Sequence, residues 1–188
     1  MANKAAFMAG SRVYLRPLAR TDLNERYLGW LNNPEVTQYM ETGTFPTTQE
    51  DLDRFYREVT ESRNQVILAI VDQKTDQHIG NVKLGPIHWI HRHASFGILI
   101  GDTKFWGKGI GLEATRLMVE YGFNCLNLRR IDLGVFAEHE SAVHCYEKAG
   151  FKTEGRMREA LFQGGKYKDR LCMGLLRSEY VANAGKRK

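Results

Sequence analysis

FWGKGIGLEA, residues 105–114, sets three alternate glycines, Gly107, Gly109 and Gly111, between an apolar stretch ending near Gly101 and a helical pattern starting near Ile110. Glycines at every second position leave no Cβ between the backbone amides and a ligand. Amides at a helix N-terminus, reinforced by the helix dipole, make an anion site. Lys108 adds a point charge to it. A phosphate or pyrophosphate is the expected guest.

Several readings compete for this loop. A P-loop, G-x-x-x-x-G-K-S/T, fails on the spacing from Gly101 and on Gly109, which stands where the magnesium-binding hydroxyl belongs. Gly109 to Ala114 spells the dinucleotide pattern G-x-G-x-x-A, and Asp132 follows at a suitable distance. That pattern, however, opens repeated βαβ units and needs its acid at a strand end. A ligand-free turn has no need of three spaced glycines and a lysine.

The flanking sequence places the loop in a fold. Upstream, QVILAIVD (65–72), HIGNVKLGPI (78–87) and HASFGILIG (93–101) read as three consecutive strands, the last two a hairpin across IHWIHR. Downstream, Ile110, Ala114, Leu117, Met118, Tyr121 and Cys125 recur at helical period. RRIDLGVF (129–136) is a strand, ESAVHCYEKAG (140–150) a helix closed by Gly150, and FKTEGRMRE with YKDRLCMGLL a final strand pair. Before residue 65, RVYLRPL (12–18) reads as a strand with Val13 and Leu15 alternating against Arg12, Tyr14 and Arg16. Two helices follow it. The first runs from Thr21-Asp22 to a stop at Asn32-Asn33-Pro34; Thr47 or Thr48 caps the second, which shows Leu52, Phe55, Tyr56 and Val59 on one face.

Consecutive strands imply antiparallel hairpins, and strand–helix–strand across 93–136 implies one parallel crossover. The expected fold is α/β of the α+β kind, a mixed, mostly antiparallel central sheet of about seven strands flanked by about four helices. It occupies residues 11–178 as one domain, with a flexible leader at 1–10 and a basic tail at 179–188.

The formal charge of +5 is spread among acids rather than gathered in a stripe, so a nucleic-acid partner is not expected. The mild positive field suits an anionic small molecule. Cys125, Cys145 and Cys172 are an odd, widely spaced set that points to reduced thiols. No apolar run has the length of a membrane helix, and the N-terminus lacks a signal-peptide core, so a cytoplasmic protein without a membrane partner is expected. His88, His91 and His93 have no acidic or cysteine neighbour in sequence, and no metal is expected.

Two blocks carry a resemblance. Trp106-Gly107-Lys108-Gly109-Ile110-Gly111 is similar to the R/Q-x-x-G-x-G/A loop of the GNAT superfamily of N-acetyltransferases, with Trp in the first place. His139-Glu140-Ser141-Ala142-Val143-His144-Cys145-Tyr146-Glu147-Lys148-Ala149-Gly150-Phe151 is similar to that family's N-x-x-A-x-x-x-Y-x-K-x-G-F block, with His139 in place of Asn. The chain resembles this superfamily over roughly residues 11–178, nearest the branch of ribosomal-protein and amino-sugar acetyltransferases.

The resemblance implies acetyl-CoA as co-substrate and a small-molecule amine as acceptor. It implies that the pantetheine arm pairs with Ile98, Leu99 and Ile100, and that the pyrophosphate rests on the amides of Gly107 to Leu112 with Trp106 and Lys108 in the same loop. His139, Ser141 and Lys148 of the second block lie beside it, and Tyr146 is the acid that protonates the departing thiolate.

Many relatives carry Glu where this chain has Ser95, and no carboxylate lies between Asp76 and Asp102. Ser95 holding a water, with His93 or His91 as base, is the expectation. Without a carboxylate base a low-pKa amine is favoured over a lysine-like one, which points to an amino sugar or a nucleotide-linked amino sugar. A peptide N-terminus and an idle CoA-binding module are the alternatives. Trp30 and Tyr39, from the helical region that borders the acceptor pocket in this superfamily, and Trp89 and His91 are the candidate acceptor contacts. The reading allows a homodimer.

Overall fold

The computed structural model describes residues 6–185. Eight strands form one sheet: β1 (Met8–Ala9), β2 (Val13–Pro17), β3 (Val66–Asp72), β4 (His78–His88), β5 (His93–Ile100), β6 (Arg130–Phe136), β7 (Lys152–Gln163) and β8 (Lys166–Leu176). Their order across the sheet is β1-β2-β3-β4-β5-β6-β8-β7, and all neighbours are antiparallel except β5 and β6. Six helices accompany them: α1 (Glu25–Leu31), α2 (Pro34–Thr37), α3 (Gln49–Glu61), α4 (Ile110–Asn124), α5 (Glu140–Ala149) and α6 (Arg177–Gly185). The expected mixed sheet and its single parallel crossover, through α4, are both present.

Both faces of the sheet are covered, which accounts for the unbroken apolar run of β3. Leu68 and Ile70 face one core with Ile110, Met118 and Phe123 of α4. Ala69 and Val71 face a second core with Tyr27 and Trp30 of α1 and Leu52 of α3. Each large side chain fully buried in this way contributes about 1.5–3 kcal/mol. Tyr14, expected on an outer face of β2, belongs to the second core.

Caps set the helix limits. Asn24 Oδ1 accepts from the amides of Arg26 and Tyr27 at the start of α1, and Thr48 forms a reciprocal capping box with Asp51 on α3.

Two local expectations are corrected. Met8 and Ala9, expected in a flexible leader, pair with Leu15 and Tyr14; two residues are too few to show a strand period. Residues 179–185, expected as a basic tail, lie in α6, where Glu179 pairs with Lys152 at 2.6 Å and Tyr180 packs on Phe123 at 5.2 Å. Residues 1–5 of the expected leader and 186–188 of the tail lie outside the described residues. IHWIHR makes the expected hairpin connection, with residues 89–92 in its turn, so His91 lies in the turn and His93 begins β5.

Candidate active site

β5 and β6 share only three rungs, His93–Arg130, Ala94–Ile131 and Ser95–Asp132. Beyond Ser95, β5 stays paired with β4 as far as Ile100, and β6 stays paired with β8 as far as Phe136. The two strands therefore fork, and their inner edges face each other across a gap that an extended guest can bridge with backbone hydrogen bonds. Ile98, Leu99 and Ile100 lie along one edge of that gap. The Ile100 carbonyl is taken, because Trp106 Nε1 donates to it at 2.8 Å. Trp106 thus braces the loop against the end of β5.

The glycine loop closes the open end of the fork. Gly107 and Gly109 have φ of +71° and +75°, the left-handed region, and Gly109 is the N-terminal cap of α4. A Cβ on Gly107 would meet nothing within 4 Å, so the space above the loop is open. Lys108 Nζ lies 5.6 Å from the Phe105 ring centroid. Ile110 buries its side chain, while Leu112 packs half-buried against the same core.

Arg12 is a second cation that the sequence did not connect to this loop. A Cβ on Gly109 would come within 2.7 Å of Arg12 Nη1. Glu113, in the first turn of α4, fixes this approach: its carboxylate accepts from the Arg12 amide at 2.8 Å and from Ser11 Oγ at 3.1 Å. Open amides at a helix start, Lys108 and Arg12 together fit a diphosphate.

The two faces of the fork carry different chemistry. Tyr146 on α5 packs its ring edgewise on Phe96 at 6.0 Å and on Phe151 at 6.0 Å, on the α4–α5 face. Burial, and then the neighbouring Cys145 thiol, push its phenol well above the ordinary value, so it keeps its proton at neutral pH. Side chains alternate along a strand, so Ser95 points to the opposite face from Ala94 and Phe96. Ser95 Oγ donates to Asp132 Oδ1 at 2.8 Å. Asp132 Oδ2 lies 3.8 Å from His93 Nδ1 and 3.4 Å from Arg130 Nε. The carboxylate missing from β5 is present across the fork on β6, where only strand register reveals it.

The remaining candidates divide. Tyr39 stacks on His139 at 4.1 Å and meets Phe136 edgewise at 5.6 Å. Ser141 Oγ lies 3.3 Å from His139 Nδ1, and burial lowers the His139 imidazole's proton affinity. Lys148 is exposed near the end of α5, its carbonyl accepting from Arg116 at 3.0 Å. Trp30 is not a pocket wall: it is 7% exposed, with Arg26 5.3 Å from its ring centroid and its ring filling the space beside Gly101. Trp89 and His91 occupy the β4–β5 turn, on the closed side of the fork. Trp89 Nε1 donates to Asn64 at 3.1 Å, and His91 stacks on His88 at 4.3 Å. The rings of His88, His91 and His93 lie nearly parallel, so their nitrogens do not converge on one ion, and no metal-holding cluster occurs among the described residues.

A cleft of about 690 Å³ opens between the 32–46 connector and the β7–β8 arm, at the C-terminal end of β6. Phe136 and Phe162 supply apolar wall, and Gln38, Glu41 and Gln163 supply polar groups. Among the described residues no helix is long and apolar enough to cross a membrane.

A sheet forked beside a glycine loop that caps a helix defines an acyl-CoA transferase site, and the chain belongs to the GNAT family of acetyltransferases, whose acetyltransferase (GNAT) domain model matches residues 12–152. It is an acetyl-CoA-dependent N-acetyltransferase acting on a primary amine. It is 33% identical to the spermidine N(1)-acetyltransferase of Escherichia coli K12, over 90% of this chain and 89% of that one. It is likewise 33% identical to the spermidine N(1)-acetyltransferase of Vibrio cholerae, over 91% of this chain and 96% of that one. The crystal structure of the Vibrio cholerae spermidine N-acetyltransferase with CoA and spermine superposes with a TM-score of 0.84, covering 92% of this chain and 99% of that one at 32% identity. The acceptor named for these relatives is a polyamine, not the amino sugar expected from the sequence.

Proposed function

We propose that the chain transfers the acetyl group of acetyl-CoA to a primary amine of a polyamine. The observation that carries this is the likeness, across nine-tenths of the chain, to enzymes named for acetylating spermidine. Glu41 in the cleft beside the fork supports it, since a carboxylate there attracts a polycation in a protein whose net charge is +5. Asp132 places a carboxylate beside Ser95, so an acceptor need not be a low-pKa amine.

In this reading the glycine-loop amides, Lys108 and Arg12 hold the diphosphate, and the inner edge of β5 aligns the pantetheine arm. The acceptor approaches from the Ser95 face, its nitrogen forms the C–N bond, and Tyr146 protonates the sulfur from the other face. Thiol release from acetyl-CoA with spermidine, spermine, a UDP-linked amino sugar and a short peptide tests the acceptor. Turnover at low concentration of the polyamines alone is expected. Preference for the amino sugar or the peptide would replace the polyamine reading.

A further inference from the structure

We infer that Ser95 and Asp132 form the route by which the acceptor ammonium gives up its proton, with Asp132 a positioning and proton-accepting residue that acts through Ser95. The inference rests on the acceptor being an alkylamine. It starts from the final rung of the β5–β6 ladder, where the fork opens and Ser95 Oγ donates to Asp132 Oδ1 at 2.8 Å. That pair sits on the face opposite Tyr146, so an acyl carbon lying in the fork is flanked by a proton acceptor on one side and a proton donor on the other.

An alkylammonium near pH 7 holds its proton about three units too tightly to attack, at about 1.4 kcal/mol per unit. A neutral serine cannot take that proton alone. Ser95 can pass it on: one N–H proton moves to Ser95 Oγ while the Ser95 O–H proton moves to Asp132 Oδ1. The lone pair so released forms the C–N bond, the C–S bond breaks with its electrons on sulfur, and Tyr146 protonates the sulfur. A second N–H proton leaves as the amide forms and restores the Tyr146 phenol through solvent. Asp132 then returns its proton to water, so one proton is released per turnover.

The surroundings hold Asp132 in place. Arg130 of β6 stands 3.4 Å from it and is itself held by Glu154 of β7 at 2.6 Å. His93 of β5 stands 3.8 Å away. From β8 the residue opposite is Gly174, which adds no group; Lys152 of β7 is engaged with Glu179, and Lys83 of β4 lies opposite Gly97. Asp132 is 28% exposed, so it can exchange its proton with solvent.

The test is the pH dependence of kcat/KM for spermidine, or for whichever alkylamine the parent enzyme turns over, in Asp132→Asn and Ser95→Ala. Asparagine still accepts the Ser95 hydrogen bond, so a merely structural Asp132 predicts near-parental activity. The relay predicts a loss of about 10²-fold or more near pH 7, shrinking as the pH approaches that of free amine, with CoA affinity by calorimetry unchanged. Ser95→Ala should show the same pH-dependent loss. A loss of constant size at every pH, or none in either variant, overturns the relay. Neither result bears on whether polyamines are the acceptors, which the parent enzyme alone decides.

Discussion

The Tyr39 ring lies against the His139 imidazole at a centroid distance of 4.1 Å, joining the connector after α2 to the N-terminus of the helix that carries Tyr146. The connector that walls the cleft and the helix of the proposed acid are thereby in direct contact. Removing the ring should loosen the connector that walls the cleft. Tyr39→Ala is expected to raise the acceptor KM about three- to tenfold, in line with the 0.5–1.5 kcal/mol of an aromatic pair, while Tyr39→Phe stays near parental. Steady-state kinetics at saturating acetyl-CoA measures this.

Tyr146→Phe separates binding from chemistry. The ring packing on Phe96 and Phe151 is kept, so CoA affinity by calorimetry should hardly move. Turnover should fall by about 10²–10⁴-fold, the ordinary contribution of a positioned acid. Equal turnover by variant and parent would remove Tyr146 from the proton path.

Arg12 and Gly109 should act on the coenzyme. Arg12→Ala is expected to weaken CoA binding by about tenfold or more, since a charge-assisted hydrogen bond contributes about 1.5–3 kcal/mol, and to flatten its salt dependence. Gly109→Ala places a Cβ 2.7 Å from the same guanidinium at a φ of +75°, and should weaken CoA binding and lower Tm together. Calorimetry at two salt concentrations checks both.

Mild acid should loosen α1 from the sheet. His78 is buried, with Nε2 2.9 Å from Asn81 Oδ1 and Nδ1 3.8 Å from Asp22. Burial holds its pKa below the ordinary value. For Asp22 burial works the other way but is outweighed by bonds from Arg16 and the Ala19 amide, so its carboxyl is also held low. Both groups take up protons more readily in the unfolded chain. Their stabilisation is complete above about pH 6.5 for His78 and about pH 4 for Asp22, and each share is lost as the pH falls below those values toward the folded pKa. Thermal melts should show Tm declining from about pH 6.5 downward, and His78→Gln should flatten the upper part of that decline.

Much of this was legible in the sequence because it rests on local patterns. Period two and period 3.6 located the main strands and α4, and glycines at alternate positions before Ile110 located the anion loop. What escaped depends on pairing between distant segments. Asp132 meets Ser95 only through the parallel register of β5 and β6, and Arg12 meets Gly109 only because Glu113 holds residues 11–13 against α4. Trp30 reads from sequence as a pocket wall or as core. Gly101, which leaves room for the indole, decides for the core.

Three rungs are a slender seam between two antiparallel half-sheets, one running β1 to β5 and the other β6, β8 and β7. A pantetheine arm lying in the fork would serve as a spline between them, which would make the coenzyme part of the scaffold as well as a reactant. At a hundredfold excess over its Kd, ligand adds about 2.7 kcal/mol to stability, and free CoA should supply as much as the acetylated form. Amide exchange should slow most along residues 96–100 and 133–136, the margins of the seam.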